Sequence, residues 1–326
     1  SIVGTNVAAD ALSNLASPGV IGGALIVVGE DYGEGASVIQ ERAHAYALKS
    51  SVWLMDPRPN LPTIVRCTEQ AFELSEATNT PVMMELRIRA CHVTGEFKAK
   101  DNKPPAISRN ARLAQPALHN YDRISHPPST YVHEKMKVEV RQPAAERFIV
   151  EHGLNEFFPG ERSDLGIIVQ GGITNVLMRG LDRLEVDGKI PTLVLNVTHP
   201  LVPDQIADFC KGKRAVLIVE EGAPDYIEQA IHALLRKRDI GTKLYGKGML
   251  PMAGEYTAEV VTEGLLKFFA QSANDIDLSK PRERFEAARA GRAEAQKILG
   301  GPLPLRPPGF CVGCPERPVF SAIKCW

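Results

Sequence analysis

Gly22-Gly23-Ala24-Leu25-Ile26-Val27-Val28-Gly29 is an unbroken apolar run opened by a glycine pair and closed by another glycine. A run of that length without polar alternation reads as a strand covered on both faces, the pattern of a parallel sheet between helices. The flanking segments agree. Asn6 to Ala16 is Ala- and Leu-rich with helical spacing, and Ser37 to Ser50 reads as a second helix beyond the loop Asp31-Tyr32-Gly33-Glu34-Gly35. Val52 to Met55 is a short strand stopped by Asp56-Pro57-Arg58-Pro59. Leu61 to Thr78 is a helix with Ile64, Val65, Ala71, Phe72 and Leu74 on its apolar face, and Pro81 to Arg87 is a further strand. Strand and helix alternating through short turns predict a right-handed, mostly parallel α/β layer.

Between about Gly95 and Gly160 the rhythm breaks. This stretch is rich in Lys, Pro, His and Arg and reads as a long connector crossing a surface, with a helix inside Glu134 to Leu154. Its histidines, His119, His126, His133 and His152, match no metal-ligand spacing and are read as solvated. The rhythm then resumes. Leu165 to Gly172 is a strand running into a glycine turn, Thr174 to Leu184 a helix, Thr192 to Val197 a strand and Pro203 to Cys210 a helix. Arg214 to Gly222 is a strand, Pro224 to Arg238 an amphipathic helix, and Thr242 to Tyr245 a last strand, the block closing near Ala270. Ser279 to Leu299 is a charged, Ala-rich, exposed helix, and Gly300 to Pro304 is a linker. The fold class expected is α/β, with two mostly parallel-sheet domains joined by a long connector.

A chain of 326 residues suits two domains, and 44% apolar with 24% charged residues is ordinary for a globular protein. A net charge of −1 gives no case for nucleic acid or an anionic membrane surface. No apolar run is long enough to span a membrane, and no basic start with an apolar core marks a signal peptide. Six thinly spread cysteines are not the framework of a secreted disulfide scaffold, so a reducing cytoplasm is expected. Cys67 and Cys210 sit in apolar or helical contexts and are read as buried thiols. The start at Ser1-Ile2-Val3 and the end at Lys324-Cys325-Trp326 suggest a fragment cut at both ends.

Several motifs carry chemistry. Cys311-Val312-Gly313-Cys314-Pro315 is a C-x-x-C turn, able to point two thiolates at one metal or cluster or to close a redox disulfide. Alone it is half of a four-ligand site. Gly171-Gly172 lacks the Lys-Ser/Thr of a P-loop and the third glycine of a dinucleotide fingerprint, so it reads as a tight turn. Glu220-Glu221 ends a buried strand. Successive strand side chains point to opposite faces, so a salt bridge or interface contact is preferred over a paired acid and base. Asp31 ends the first apolar run, where α/β sites collect. Gln40, Glu41 and Arg42 open the next helix and either line the same cleft or form an ordinary charged helix start.

Taken in order, Val3-Gly4-Thr5-Asn6-Val7-Ala8-Ala9-Asp10, Gly23 to Asp31, Ala71 to Glu76 with Pro81-Val82-Met83, Val219-Glu220-Glu221 and the Arg306-Pro307-Pro308 to Pro315 turn resemble one family. The chain is similar to the thiamine-diphosphate (alpha) subunits of indolepyruvate ferredoxin oxidoreductases, within the wider 2-oxoacid:ferredoxin oxidoreductase family. The likeness covers most of the chain outside the connector. It implies that residues 1–95 are the C-terminal part of a thiamine pyrimidine-binding domain, 96–160 the connector, and 161–272 a transketolase C-terminal-like domain. Residues 273–304 would be a helical linker and 305–326 the start of a pyrophosphate-binding domain.

The resemblance implies coenzyme A-dependent oxidative decarboxylation of a 2-oxoacid, with electrons passed to ferredoxin. It implies thiamine diphosphate, Mg²⁺ and a [4Fe-4S] cluster as cofactors, with Cys311 and Cys314 as metal ligands. Asp31, Gln40, Glu41 and Glu316 become cofactor-binding candidates. The glutamate that activates the aminopyrimidine would lie upstream of the chain, and the Gly-Asp-Gly region for Mg²⁺ and diphosphate past Trp326. Glu316 stands where many indolepyruvate enzymes carry His, which puts the acyl group in question. Partners implied are the 2-oxoacid, coenzyme A, ferredoxin and a second (beta) subunit or fused beta domain, with no nucleic acid and no membrane. The competing readings are a different 2-oxoacid, or a non-catalytic α/β interaction module whose C-x-x-C binds zinc.

Overall fold

The computed structural model describes residues 2–33, 39–101 and 120–301. Elements in chain order are α1 (Ile2–Val7), α2 (Ala9–Ala16), β1 (Leu25–Glu30), α3 (Ala43–Ser50), β2 (Trp53–Met55), α4 (Leu61–Thr78), β3 (Val82–Arg87) and α5 (Ile88–Cys91). After the connector come α6 (Ser129–Met136), a π turn (Lys137–Arg141), α7 (Gln142–Glu151), β4 (Glu156–Phe158), β5 (Leu165–Gln170), α8 (Thr174–Arg183), β6 (Thr192–Leu195) and β7 (Val197–His199). The chain continues through α9 (Pro203–Cys210), β8 (Ala215–Val219), α10 (Tyr226–Lys237), β9 (Lys243–Tyr245), α11 (Ala258–Ser272) and α12 (Ser279–Ile298).

Two mostly parallel sheets result, ordered β1-β3-β2-β7 and β4-β6-β5-β8-β9. Each has one antiparallel edge: β7 against β2 in the first and β4 against β6 in the second. In the first sheet the alternation of side chains builds two cores. Trp53, Met55, Val82 and Met84 pack against Cys67, Ala71 and Leu74 of α4 and Phe148 and Ile149 of α7. Leu54, Met83 and Val28 face Ala16 of α2 and Ala43, Tyr46 and Ala47 of α3 on the other side. A fully buried Leu74 or Met84 contributes roughly 1.5–3 kcal/mol, so the layer is held by many such side chains rather than by one. In the second sheet Ile168, Leu193, Leu195, Val216 and Ile218 pack on Ile206 and Phe209 of α9 and Ile227, Ile231 and Leu235 of α10. Both sheets lie in one compact unit ending at Leu278; α12, a charged helix of 20 residues, belongs to the other.

Helix α4 shows why its limits were readable. Asn60 accepts a hydrogen bond from the Thr63 N–H, Pro62 occupies the first turn, and Asn79 ends the helix in the left-handed region at φ 50°. Elsewhere the structure differs from the sequence reading. Strand β1 is not covered on both faces. It is the outer strand of its sheet, and Val27 is 59% exposed. The helix expected from Ser37 begins at Ala43, which leaves Gln40 and Glu41 in a loop. His133 is buried rather than solvated: its Nε2–H donates to the Asp122 carbonyl at 2.6 Å. The segment from Thr192 to Val197 is two strands, because Asn196 redirects the chain so that β7 joins the first sheet. Cys67 and Cys210 are buried, as expected, and burial pushes their thiols up to about 11 and about 12.

The π turn has a local cause. Its extra residue swings Arg141 over the end of α2, where the guanidinium donates to the carbonyls of Ala16, Ser17 and Pro18 at 3.0–3.1 Å. Those carbonyls would otherwise lack partners at the helix end.

Candidate functional site

In open α/β sheets the carboxyl ends of the parallel strands form the crevice where ligands bind. Here the carboxyl ends of β1, β2 and β3 meet those of β5, β6 and β8, and a buried ionic network fills the junction. Asp56, just past β2, receives Arg87 from the end of β3, with Nη2 to Oδ2 at 2.8 Å. Arg87 also pairs with Glu221, just past β8, and lies 3.0 Å from Glu85. Arg89 binds Glu221 at 2.7 Å and Glu255 at 3.0 Å, and the Tyr256 N–H donates to Glu221 at 2.5 Å. Arg42 donates to Glu220 and to the Pro224 carbonyl, each at 2.5 Å. Glu220 also accepts the Ile227 and Glu228 N–H groups at 2.9 Å, neutralising the start of α10.

The alternation expected for Glu220 and Glu221 is what separates them, one toward Arg42 and the other toward Arg87 and Arg89. Both carboxylates are held in ion pairs, so the salt-bridge reading stands and the acid and base pair is not formed.

Glycines admit this network. A Cβ on Gly171 would lie 1.9 Å from the Asp56 carbonyl oxygen, and one on Gly172 would lie 2.3 Å from Asp56 Oδ1 and 2.5 Å from Arg87 Nε. The Gly171-Gly172 turn therefore presses on protein and leaves no cradle for a phosphate. Gly222, at φ +87°, lets the Tyr32 ring approach to 2.8 Å of its missing Cβ.

Burial sets the charges. It pushes Asp56 up to about 6 against the pull of Arg87. Burial, reinforced by Glu30, pushes Glu85 up to about 8. Burial opposes charge on Arg42 and Arg87 as well, but the carboxylates around them win and raise both. Lys247, whose Nζ donates to the Gly222 carbonyl at 2.9 Å, is lowered by burial to about 8.

At the rim lies a cleft of about 460 Å³ lined by Asn6, Gln40, Glu41, Tyr46, Lys49 and Tyr226 among others. Gln40 and Glu41 thus face one cavity. Gln40 Nε2 donates to the Gly33 carbonyl at 2.9 Å, and Glu41 accepts from Asn6 Nδ2 at 3.1 Å. Asp31 is not among the lining residues; its Oδ1 accepts the Gly33 N–H at 3.0 Å in a turn. Cys311, Cys314 and Glu316 lie outside the described residues. Among the described residues no group of three or more His, Cys, Asp or Glu could hold a metal ion, and no helix is long and apolar enough to cross a membrane.

The residues that close the crevice, Arg42, Asp56, Glu85 and Arg87, were not singled out together from the sequence. A signal was present. Glu85 interrupts the apolar run Val82-Met83-Met84, and Asp56 and Arg87 terminate apolar strands. Charges at such positions need partners.

No protein-family profile matches the chain. Curated relatives do. Indolepyruvate oxidoreductase subunit IorA of Methanothermobacter marburgensis is 27% identical over 324 residues, 99% of this chain and 48% of the relative. The chain is related to the IorA subunits of indolepyruvate oxidoreductases. The corresponding subunits of Pyrococcus abyssi and Archaeoglobus fulgidus are 25% and 26% identical, again over 99% of the chain. The chain spans about half the length of these IorA relatives, at 47–48%. The fold matches a 2-oxoglutarate:ferredoxin oxidoreductase from Magnetococcus marinus, solved with 2-oxoglutarate, coenzyme A and succinyl-CoA bound. That match has TM-score 0.52 and 14% identity, and covers 79% of this chain and 51% of that one.

Proposed function

We propose that the chain is part of a 2-oxoacid:ferredoxin oxidoreductase acting on indolepyruvate or a related aryl pyruvate. The reaction is coenzyme A-dependent oxidative decarboxylation to an acyl-CoA and CO₂, with electrons delivered to ferredoxin and a second subunit or fused domain completing the enzyme. The observation that carries this reading is the collinear relation to IorA subunits over 99% of the chain.

The strand-end crevice itself does not fit thiamine diphosphate or Mg²⁺, and cofactor contacts from Asp31, Gln40 and Glu41 stay part of the proposal. The strand-end crevice is filled by Arg42, Arg87 and their carboxylates, the Gly171-Gly172 turn has no free space, and no acidic cluster suits a cation. Their part in the proposal is to fix two sheets rigidly and to present the rim carrying Gln40 and Glu41. In this proposal most of the cofactor contacts come from residues outside the described ones, with Cys311 and Cys314 supplying part of the ligand set of a [4Fe-4S] cluster. Domain roles follow the same reading, with residues 1–95 on the pyrimidine side and 161–272 as the transketolase C-terminal-like part.

Metal analysis of the complete protein tests this directly. Iron with acid-labile sulfide, lost in the Cys314→Ala variant together with ferredoxin reduction, is the expected result. Stoichiometric zinc without sulfide would instead support a non-catalytic module built on the same domains.

A further inference from the structure

We propose that the free edge of β1 accepts one more strand, and that an apolar strand from the other half of an IorA-length protein occupies it. The pairing with β3 identifies the free groups. The Val82 N–H donates to the Ala24 carbonyl at 2.9 Å, and Leu25 stands opposite Val82 in parallel register. In a parallel ladder the N–H and C=O of one residue point to the same side, and successive residues alternate. Ala24, Ile26 and Val28 therefore turn their backbone groups to β3. Leu25, Val27 and Gly29 turn theirs outward, where no strand pairs with them among the described residues.

The side chains agree. Val27 and Gly29 are the exposed residues of β1, whereas β2 is buried throughout. Side chains alternate, so Val27 shares with Leu25 the face turned toward α4. Phe72 of α4 is itself 44% exposed and lies against Gly23, just before the strand. The apolar layer thus stops with Val27 and Phe72 uncovered. Open edges are ordinarily guarded by charge, proline or a bulge. The outer strand β9 of the second sheet follows that rule, being three residues long and carrying an exposed Lys243. Strand β1 does not. It pairs with β3 along its whole length without a break in register, contains no Lys, Arg or Pro, and its one charged residue, Glu30, is buried. It has the composition of an inner strand and lacks a neighbour.

Size selects the occupant. Edge pairing with a second copy would join Leu25, Val27 and Gly29 of each chain, against roughly 20–30 residues a side in a stable interface between separate proteins. A strand on the same polypeptide needs no such area, because the connection sets its effective concentration. The IorA relatives supply the residues, since this chain matches only 47–48% of their length. The inference rests on the relation to IorA and not on the reaction, so ferredoxin reduction can fail while the edge is paired, and the reverse.

Hydrogen exchange resolved to single amides, on the 326-residue chain and on the complete protein, tests this. The Ile26 and Val28 amides should be protected in both, since β3 holds them. The Leu25, Val27 and Gly29 amides should exchange freely in the 326-residue chain and about a hundredfold more slowly in the complete protein. Val27→Pro gives a second readout, because it removes an N–H that points outward and leaves the ladder to β3 intact. It should leave the urea midpoint of the 326-residue chain nearly unchanged, yet strip protection from Leu25 and Gly29 in the complete protein. Leu25, Val27 and Gly29 amides that exchange equally fast in the two proteins would overturn the inference. So would protection in the 326-residue chain that grows with its concentration, the mark of a second copy on the edge.

Discussion

Arg87→Leu removes the guanidinium on which the junction of the two sheets turns. The side chain is 3% exposed and serves Asp56 and Glu221, with Glu85 at 3.0 Å. Glu221 keeps Arg89 and the Tyr256 N–H, so the carboxylate left stranded is Asp56, which is fully buried. Breaking a buried pair from one side costs about 3–5 kcal/mol. That is a large share of the 5–15 kcal/mol typical of a folded protein. With a urea slope of about 2–3 kcal/mol/M, the midpoint should fall by about 1.5 M at pH 8, followed by circular dichroism. The deficit should depend on pH. Burial already holds Asp56 up to about 6 with Arg87 beside it, and removing the cation raises it further. Protonation at pH 5.5 then relieves the stranded charge, and the deficit should shrink by about 2 kcal/mol. A deficit under 1 kcal/mol, or one equal at pH 8 and pH 5.5, would refute the claim that this network holds the sheets together.

Other substitutions and conditions probe neighbouring features. Gly172→Ala places a methyl against Asp56 Oδ1 and Arg87 Nε, and should cost about 1–3 kcal/mol by overpacking in the same urea assay. His199 is lowered by burial to about 4, below its ordinary value. Folding therefore excludes its proton, and the stability present above about pH 6.5 should be lost as pH falls toward 4, by at most about 3 kcal/mol. His199→Gln should flatten that acid limb, measured as Tm against pH. The 326-residue chain, given thiamine diphosphate, Mg²⁺, coenzyme A and indolepyruvate, should not reduce viologen dye, since its strand-end crevice is filled by Arg42, Arg87 and their carboxylates; steady turnover would show otherwise.

What could be read from the sequence was local. Helix α4 announces itself through Asn60, Pro62 and Asn79, and β8 through five apolar residues in a row. Strand β1 carries an equally apolar run and was misread, because a run of Leu, Ile and Val does not distinguish an inner strand from an outer one. Strand β7 hid behind Asn196 for a similar reason. A change of sheet is decided by Asn196 Oδ1 receiving the Arg58 N–H and its Nδ2 reaching the Leu154 carbonyl, contacts far apart in the chain. The ionic junction was the least legible part. Arg42 and Glu220 are separated by 178 positions and Arg87 and Glu221 by 134, so no local pattern joins them. Gln40 and Glu41 line a cleft that Asp31, expected beside them, does not, and the helix they were expected to open begins at Ala43.

The most direct test of the proposed function is ferredoxin reduction by the complete protein assembled with its second subunit. Indolepyruvate should drive it, with coenzyme A required and an acyl-CoA formed in step with two reduced ferredoxins. No reduction with indolepyruvate or any other 2-oxoacid, from protein shown to carry its iron and thiamine diphosphate, would contradict the account.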